Sequence, residues 1–210
     1  MVEVLSTPGD PKQARSKQTK EKIVQAAIHL FQIRGYEGTT SNEIAAEAGV
    51  SVGSFYVYFT DKRQLLLSIF DRLADEMFKN IFEIVRPEHL FGSELRPTIR
   101  RAVANTIEDK QKFAGLHRVI SELVLKDEEF AARRKAAMHR SLSKIEEIIS
   151  LANKAELTWE IDVEAAAFVV NRVVFDLSQD YVTGNCYFDM DRAIDALSDM
   201  ILRYLFKPRP

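Results

Sequence analysis

The sequence predicts an all-α fold, in which an amino-terminal three-helix domain with a helix-turn-helix precedes a carboxy-terminal helical bundle. Three observations carry this expectation. The prolines fall at positions 8, 11, 87, 97, 208 and 210, so the stretches 12–86 and 98–207 hold no helix breaker of that kind. Apolar residues recur at steps of three and four, and no segment sustains an alternation of period two. A single cysteine, Cys186, permits neither an internal disulfide nor a thiolate metal cluster, so stability must come from packing.

Residues 1–16 have no periodic apolar positions to offset the entropy of ordering them, and they read as a flexible basic arm. From Lys17 onward, Ile23, Ala27, Leu30 and Phe31 share one helical face until Gly35 stops the helix. Thr40 and Glu43 form a capping box for the second helix, hydroxyl to early amide and carboxylate back to the amide of Thr40. Its inner face is Ile44, Ala45 and Ala48, and Gly49 permits the positive φ of a tight turn into Val50 and Ser51. Ser51 caps a third short helix that runs through Phe59. Asp61, with Gln64 three residues on, opens a longer helix along which Leu66, Ile69, Leu73, Met77, Ile81 and Val85 recur until Pro87. Further helices are expected over Glu94–Lys110, Phe113–Leu125, Asp127–Ala155, Asp162–Val182 and Asp189–Phe206, with no strand and no internal repeat.

The 210 residues are 46% hydrophobic and 29% charged, with a formal charge of -2, which argues against disorder and against a collagen-like chain. The longest apolar run, 165–170, is far short of the roughly 20 residues that a bilayer crossing needs. Residues 1–10 lack the charged start and apolar centre of a secretory signal, so the expectation is a cytoplasmic protein with no membrane partner. Charge is uneven, however. From Pro11 to Arg34 six basic residues face Glu21 alone, a local net of +5. Such a segment is either a solvated tail or a local contact with a polyanion.

The stretch from Ser41 to Thr60 favours the second. Two short helices crossing at a tight turn need a small residue at the crossing, a glycine at the turn and apolar locks. Ala45, Gly49, and Ile44, Ala48, Val50 and Phe55 supply them. The eight residues Val52 to Phe59 make a helix about 12 Å long, comparable to the width of a B-DNA major groove. Gly53 lets the backbone approach DNA closely, and Ser54, Tyr56 and Tyr58 carry hydroxyls for phosphates or base edges. No Arg, Lys, Asn or Gln lies between Val50 and Phe59, so bidentate base readout is absent from this helix. Val52 is then expected on a thymine methyl, Ser54 and Tyr56 in single hydrogen bonds, and the remaining selectivity in DNA shape. Thr40 at one helix start and Lys62 near another are candidate phosphate clamps. Arg15, Lys17 and Lys20 are candidate arm contacts, each neutralised phosphate steepening the salt dependence by about 0.9 log units per log unit of salt.

The run KIVQAAIHLFQIRGYEGTTSNEIAAEAGVSVGSFYVYFTDKRQLL, within Thr19 to Leu66, resembles the TetR family of transcriptional regulators. Its Gly35-Tyr36, Thr39-Thr40, Ile44-Ala45, Ala48-Gly49-Val50-Ser51, Gly53, Tyr56, Tyr58-Phe59 and Lys62 carry the likeness, which covers about the first third of the chain. The resemblance implies an all-helical homodimer whose first three helices bind operator DNA, and whose remaining helices hold an effector pocket and the dimer interface. It implies phosphate contacts at Thr40, Ser51, Tyr56, Tyr58 and Lys62, and base-edge contacts at Val52, Gly53 and Tyr56. Most members are repressors released from DNA by a small molecule. The division that follows is an arm at 1–16, a helix-turn-helix domain at 17–62 and an effector-binding and dimerisation domain at 63–210.

A lone helix-turn-helix binds weakly, whereas a twofold pair reaches half-sites roughly 34 Å apart, so pairing is expected on physical grounds too. Val163, Ala166, Val170, Val174, Leu177 and Tyr181 form one apolar stripe, and Ile194, Leu197, Ile201 and Leu205 another; each suits either pairing or the internal core. Phe78, Phe82, Phe91, Phe113, Phe168 and Phe175, with His117, Asn171 and Arg172, suit either a core with solvated polar groups or a pocket for a largely apolar or aromatic effector. The four histidines are isolated, and no Gly-rich phosphate loop or nucleophile elbow is present, so neither an enzyme nor a cofactor or metal site is expected. The reading is a ligand-responsive repressor in which effector binding tilts the helix that starts near Asp61 and respaces the two reading heads. Its rivals are an effector-free DNA-binding or architectural protein and a helical protein-interaction module.

Overall fold

The computed structural model describes residues 11–85, 89, 94–184 and 187–208. The described helices are α1 (Pro11–Arg34), α2 (Ser41–Glu47), α3 (Val52–Tyr58), α4 (Lys62–Phe82), α5 (Leu95–Lys112), α6 (Ala114–Val124), α7 (Glu128–Lys154), α8 (Val163–Thr183) and α9 (Met190–Leu205). Among the described residues no strand forms; an isolated antiparallel bridge pairs Thr158 with Phe206. The chain divides into two compact units, one ending at Phe70 and the other beginning at Asp71, so the division falls within α4.

Helix α1 opens at Pro11, ahead of the expected start at Lys17. Proline suits a first helical position, where its missing N–H has no intrahelical partner to lose, and the Lys, Gln, Ala and Arg that follow are strong helix formers. Propensity therefore carries the helix outward beyond its apolar face. The expected arm contacts Arg15, Lys17 and Lys20 stand on this helix as exposed side chains. Residues 1–10, the rest of the expected arm, lie outside the described residues, as do Phe91 and Cys186.

Most other helix starts are local chemistry. Aspartates cap four of them: Asp61 accepts from the Gln64 amide at 2.7 Å, Asp127 from Glu129 at 2.9 Å, Asp162 from Ala165 at 3.1 Å and Asp189 from Arg192 at 2.9 Å. At α4 the return half of the expected capping box is displaced by one residue. The Gln64 Oε1 accepts from the amide of Thr60, at 2.7 Å, and not from that of Asp61.

In the amino-terminal unit, Ile23, Ala27 and Phe31 of α1, Ile44 and Ala45 of α2, Phe55 of α3 and Leu65, Leu66 and Ile69 of α4 are fully buried. Helices α1 and α2 pack together, as do α2 and α3. The α2–α3 turn rests on Gly49 at φ 65, and the Val50 amide closes it on the Ala45 carbonyl at 3.0 Å.

In the carboxy-terminal unit α5 packs against both α8 and α9, and α7 against α6 and α8. Ile99, Val103 and Ile107 of α5, Ala166, Ala167 and Val170 of α8, and Ile194, Leu197, Ile201 and Leu205 of α9 belong to one buried cluster. Val163, Val174, Leu177 and Tyr181 pack against its edge. The two stripes that the sequence leaves open between pairing and core are therefore core. Ion pairs rim the bundle, Arg100 to Asp195 at 2.6 Å and Arg140 to Asp75 at 2.6 Å; exposed as they are, they contribute little stability.

Candidate functional site

The turn between α1 and α2, together with α3, brings most of the expected DNA contacts to one unit. Thr40 is exposed at the α2 N-cap; its Oγ1 accepts from the Glu43 amide at 3.2 Å, and Glu43 Oε2 accepts from the Thr40 amide at 2.8 Å. Hydrogen bonds from the Thr40 hydroxyl and then the Thr40 amide hold the Glu43 carboxyl below the ordinary carboxylate range, with Arg34 3.1 Å away adding a smaller effect. This carboxylate supports folding above its unfolded pKa, and that support fades as pH falls through the lower folded value. Thr40→Ala is expected to cost about 1 kcal/mol in urea denaturation, and to move the Glu43 carboxyl toward its ordinary value in an NMR titration.

Ser51 caps α3, its Oγ accepting from the Ser54 amide at 3.0 Å and lying 2.8 Å from the Ser54 Oγ. Beyond the cap, the helix has one inward and one outward face. Phe55 is fully buried and meets Tyr56 edge-on at 5.3 Å between ring centroids. Val52, Gly53 and Tyr56 face outward, and Tyr56 is 53% exposed. Val57, 77% exposed, joins this face, four residues after Gly53. Sequence reasoning missed it, although helical spacing from Gly53 was the available signal.

Two expected contacts are already engaged within the unit. The Lys62 ammonium donates to the carbonyls of Tyr36 at 2.8 Å and Thr39 at 2.9 Å, and stands 4.2 Å from the centre of the Tyr36 ring. It ties the end of the α1–α2 turn to α4, and these two bonds use two of its three N–H groups. The Tyr58 hydroxyl lies 3.1 Å from the Ser16 Oγ of α1.

The effector candidates scatter within the carboxy-terminal unit. Phe168 turns outward, 58% exposed, because Ala166, Ala167 and Val170 take the inner face of α8. Phe78 meets Phe82 at a tilt, 4.7 Å between ring centroids, with the Arg140 guanidinium over the Phe78 ring, and Phe113 joins α5 to α6. Arg172 is exposed and pairs with Asp176 at 3.0 Å, while Asn171 is half-buried. Phe175 meets a residue that sequence reasoning missed, the buried Lys110, whose Nζ lies 3.9 Å from its ring centre. Burial, and then the charge of Arg134, push the Lys110 ammonium down to about 7, and burial, and then Lys110, push His117 down to about 4. With a folded value below the unfolded one, Lys110 weakens the fold fully below about pH 7, and the penalty lifts as pH rises toward the ordinary lysine range. Lys110→Met is accordingly expected to raise the thermal midpoint most at pH 6 and least near pH 10, in melting curves across that range.

Comparison with known proteins adds the lineage. Residues 23–69 match the family model described as bacterial regulatory proteins, tetR family. The uncharacterized HTH-type transcriptional regulator YuxN of Bacillus subtilis is 40% identical over 68 residues, 32% of this chain and 23% of that protein. The fatty acid metabolism regulator protein of the same organism is 24% identical over 199 residues, covering 92% of this chain and 96% of that protein. SmeT, the repressor of the Stenotrophomonas maltophilia multidrug efflux pump SmeDEF, superposes with a TM-score of 0.71 at 21% identity, covering 90% of this chain and 93% of that one. A SmeT–triclosan complex superposes with a TM-score of 0.73 at 19% identity, covering 91% and 98%. The structural likenesses concern the fold alone. The chain spans between 23% and 30% of the length of the first curated relatives it matches. The family model lies across the helix-turn-helix, so residues 23–69 carry the amino-terminal domain of the tetR family of bacterial regulatory proteins.

Proposed function

We propose that this chain is a sequence-specific DNA-binding transcriptional regulator, a homodimeric repressor that a small molecule releases from operator DNA. Gly53 carries the reading. It sits exposed on α3 in a helix, and a Cβ built there would meet only the Ser51 Oγ, at 3.8 Å. Neither a positive φ nor a crowded neighbour within the chain calls for glycine at this position, although alanine would favour the helix by about 1 kcal/mol. An external surface that must approach the backbone closely does call for it, and duplex DNA is such a surface.

Around Gly53, the α2 start at Thr40 and the α3 start at Ser51 offer amide ends to phosphates, Val52 meets a thymine methyl, and Tyr56 and Ser54 make single hydrogen bonds. The basic face of α1, with Arg15, Lys17 and Lys20, adds phosphate contacts. A second copy supplies the other reading head. Phe168, Val169 and Val173 of α8 and Met200 and Tyr204 of α9 are the large exposed apolar side chains of those helices, and they suit the pairing face. The effector site lies in the carboxy-terminal unit. Helix α4 starts directly after the reading helix and runs on past Phe70, so its displacement is the route by which a bound effector changes DNA affinity. Among the described residues no helix is long and apolar enough to cross a membrane, and the proposed site of action is the cytoplasm.

The experiment is retention of sheared genomic DNA from the source organism by the purified full-length protein at low ionic strength, with sequencing of the bound fragments. The reading predicts a few enriched fragments that share an inverted repeat. Uniform recovery of all fragments, or of none, contradicts it.

A further inference from the structure

Lys110, near the end of α5, is 4% exposed and stands among residues of four helices of the carboxy-terminal unit. On α8, its Nζ donates to the Ser178 Oγ at 2.6 Å and, more weakly, to the Phe175 carbonyl at 3.5 Å, and it lies 3.9 Å from the centre of the Phe175 ring. The Arg134 guanidinium of α7 lies 5.4 Å from the centre of the same ring. On α6, His117 presents a buried Nε2 without a hydrogen-bond partner among the described residues. The carboxylates nearby are committed elsewhere. Asp109 accepts from Lys112 at 3.1 Å and from Asn80 at 2.7 Å, and Asp176 pairs with Arg172 at 3.0 Å.

Two cationic side chains thus stand against a single aromatic ring, one unsatisfied ring nitrogen lies within electrostatic reach of Lys110, and among the described residues no carboxylate pairs with either cation. A buried cation without a counter-ion weakens the fold, and a buried polar atom without a partner weakens it further. An ammonium has three N–H groups and Lys110 uses two, so one donor remains. Neutral His117, near enough for Lys110 to disfavour its charge, keeps an unpartnered ring nitrogen, and Arg134 adds further donors. The cluster is complete once an anion enters it.

We propose that this cluster is the head-group site of the effector, and that the effector is an organic anion with a carboxylate held by Lys110 and Arg134 and an apolar or aromatic body lying against Phe175. The inference rests on the regulator reading and narrows its effector from a largely apolar molecule to an anionic amphiphile. Recognition follows from replacing a missing counter-ion, which a neutral molecule of the same shape cannot do.

The test uses the full-length protein and two matched pairs of probes, 4-phenylbutanoate against 4-phenylbutanol and decanoate against decanol, with affinities from calorimetry. The site predicts that at least one carboxylate binds about ten-fold or more tightly than its alcohol, and that Lys110→Met abolishes the preference. If the Lys110→Met chain does not fold, Arg134→Gln decides, with the preference reduced at least about three-fold. No binding by either carboxylate, no preference over the alcohols, or a preference that survives the deciding variant overturns the proposal. Operator binding without probe is measured separately. Its absence with carboxylate binding intact counts against the regulator reading alone, and its presence without a carboxylate preference counts against the anion site alone.

Discussion

Gly53→Leu is expected to leave the chain as stable as before, or slightly more so, while operator affinity drops by about 100-fold. The two halves of this prediction have separate causes. Within the protein the new side chain meets open space, since only the Ser51 Oγ lies within 4 Å of a Cβ at this position. Leucine is also the better helix former. On DNA the same side chain occupies the space through which the α3 backbone approaches the duplex, and it holds Val52 and Tyr56 away from the groove. Denaturant melts with operator titration by fluorescence anisotropy check both halves. A loss of stability places Gly53 in a structural role, and unchanged affinity removes α3 from the interface.

Phe55→Ala makes the opposite separation. Two positions along α3, Phe55 is fully buried and its ring lies 6.0 Å from that of Phe59. Truncating it leaves a cavity at the centre of the amino-terminal unit, and an expected loss of about 3–5 kcal/mol. The amino-terminal unit then unfolds at lower urea than the carboxy-terminal one, where Trp159 is the single tryptophan. Circular dichroism should register an early transition that Trp159 fluorescence does not follow, and operator binding should vanish with that early transition. A single transition at the wild-type midpoint would show that Phe55 does not hold the unit together.

These two residues also show what the sequence discloses and what it withholds. The Thr40–Glu43 box, the Ser51 cap, the Gly49 turn and the aspartates at 61, 127, 162 and 189 act within four residues of themselves, so local order reveals them. The inner faces of α1 to α3 follow from period alone. Contacts between distant segments do not. Lys62 has the look of a free phosphate clamp until the carbonyls of Tyr36 and Thr39 claim two of its donors, and Tyr58 looks free until Ser16 reaches it from α1. Lys110, with Asp109 before it and Lys112 two residues on, reads as one more charge on a solvated helix, and only the packing of α5 against α8 buries it. The outward turn of Phe168 is hidden for a related reason: α8 is apolar on more than one face, and period alone does not say which one turns inward.

The central claim is that the exposed face of α3, with the start of α2, is what meets DNA. Its most direct test is amide hydrogen exchange of the full-length chain with and without an enriched genomic fragment, resolved by peptide. The account predicts slowed exchange concentrated in peptides spanning Thr40 to Tyr58, with weaker protection on the basic face of α1. Protection confined to the helices after Asp71, with Thr40 to Tyr58 exchanging as in the free protein, would contradict it.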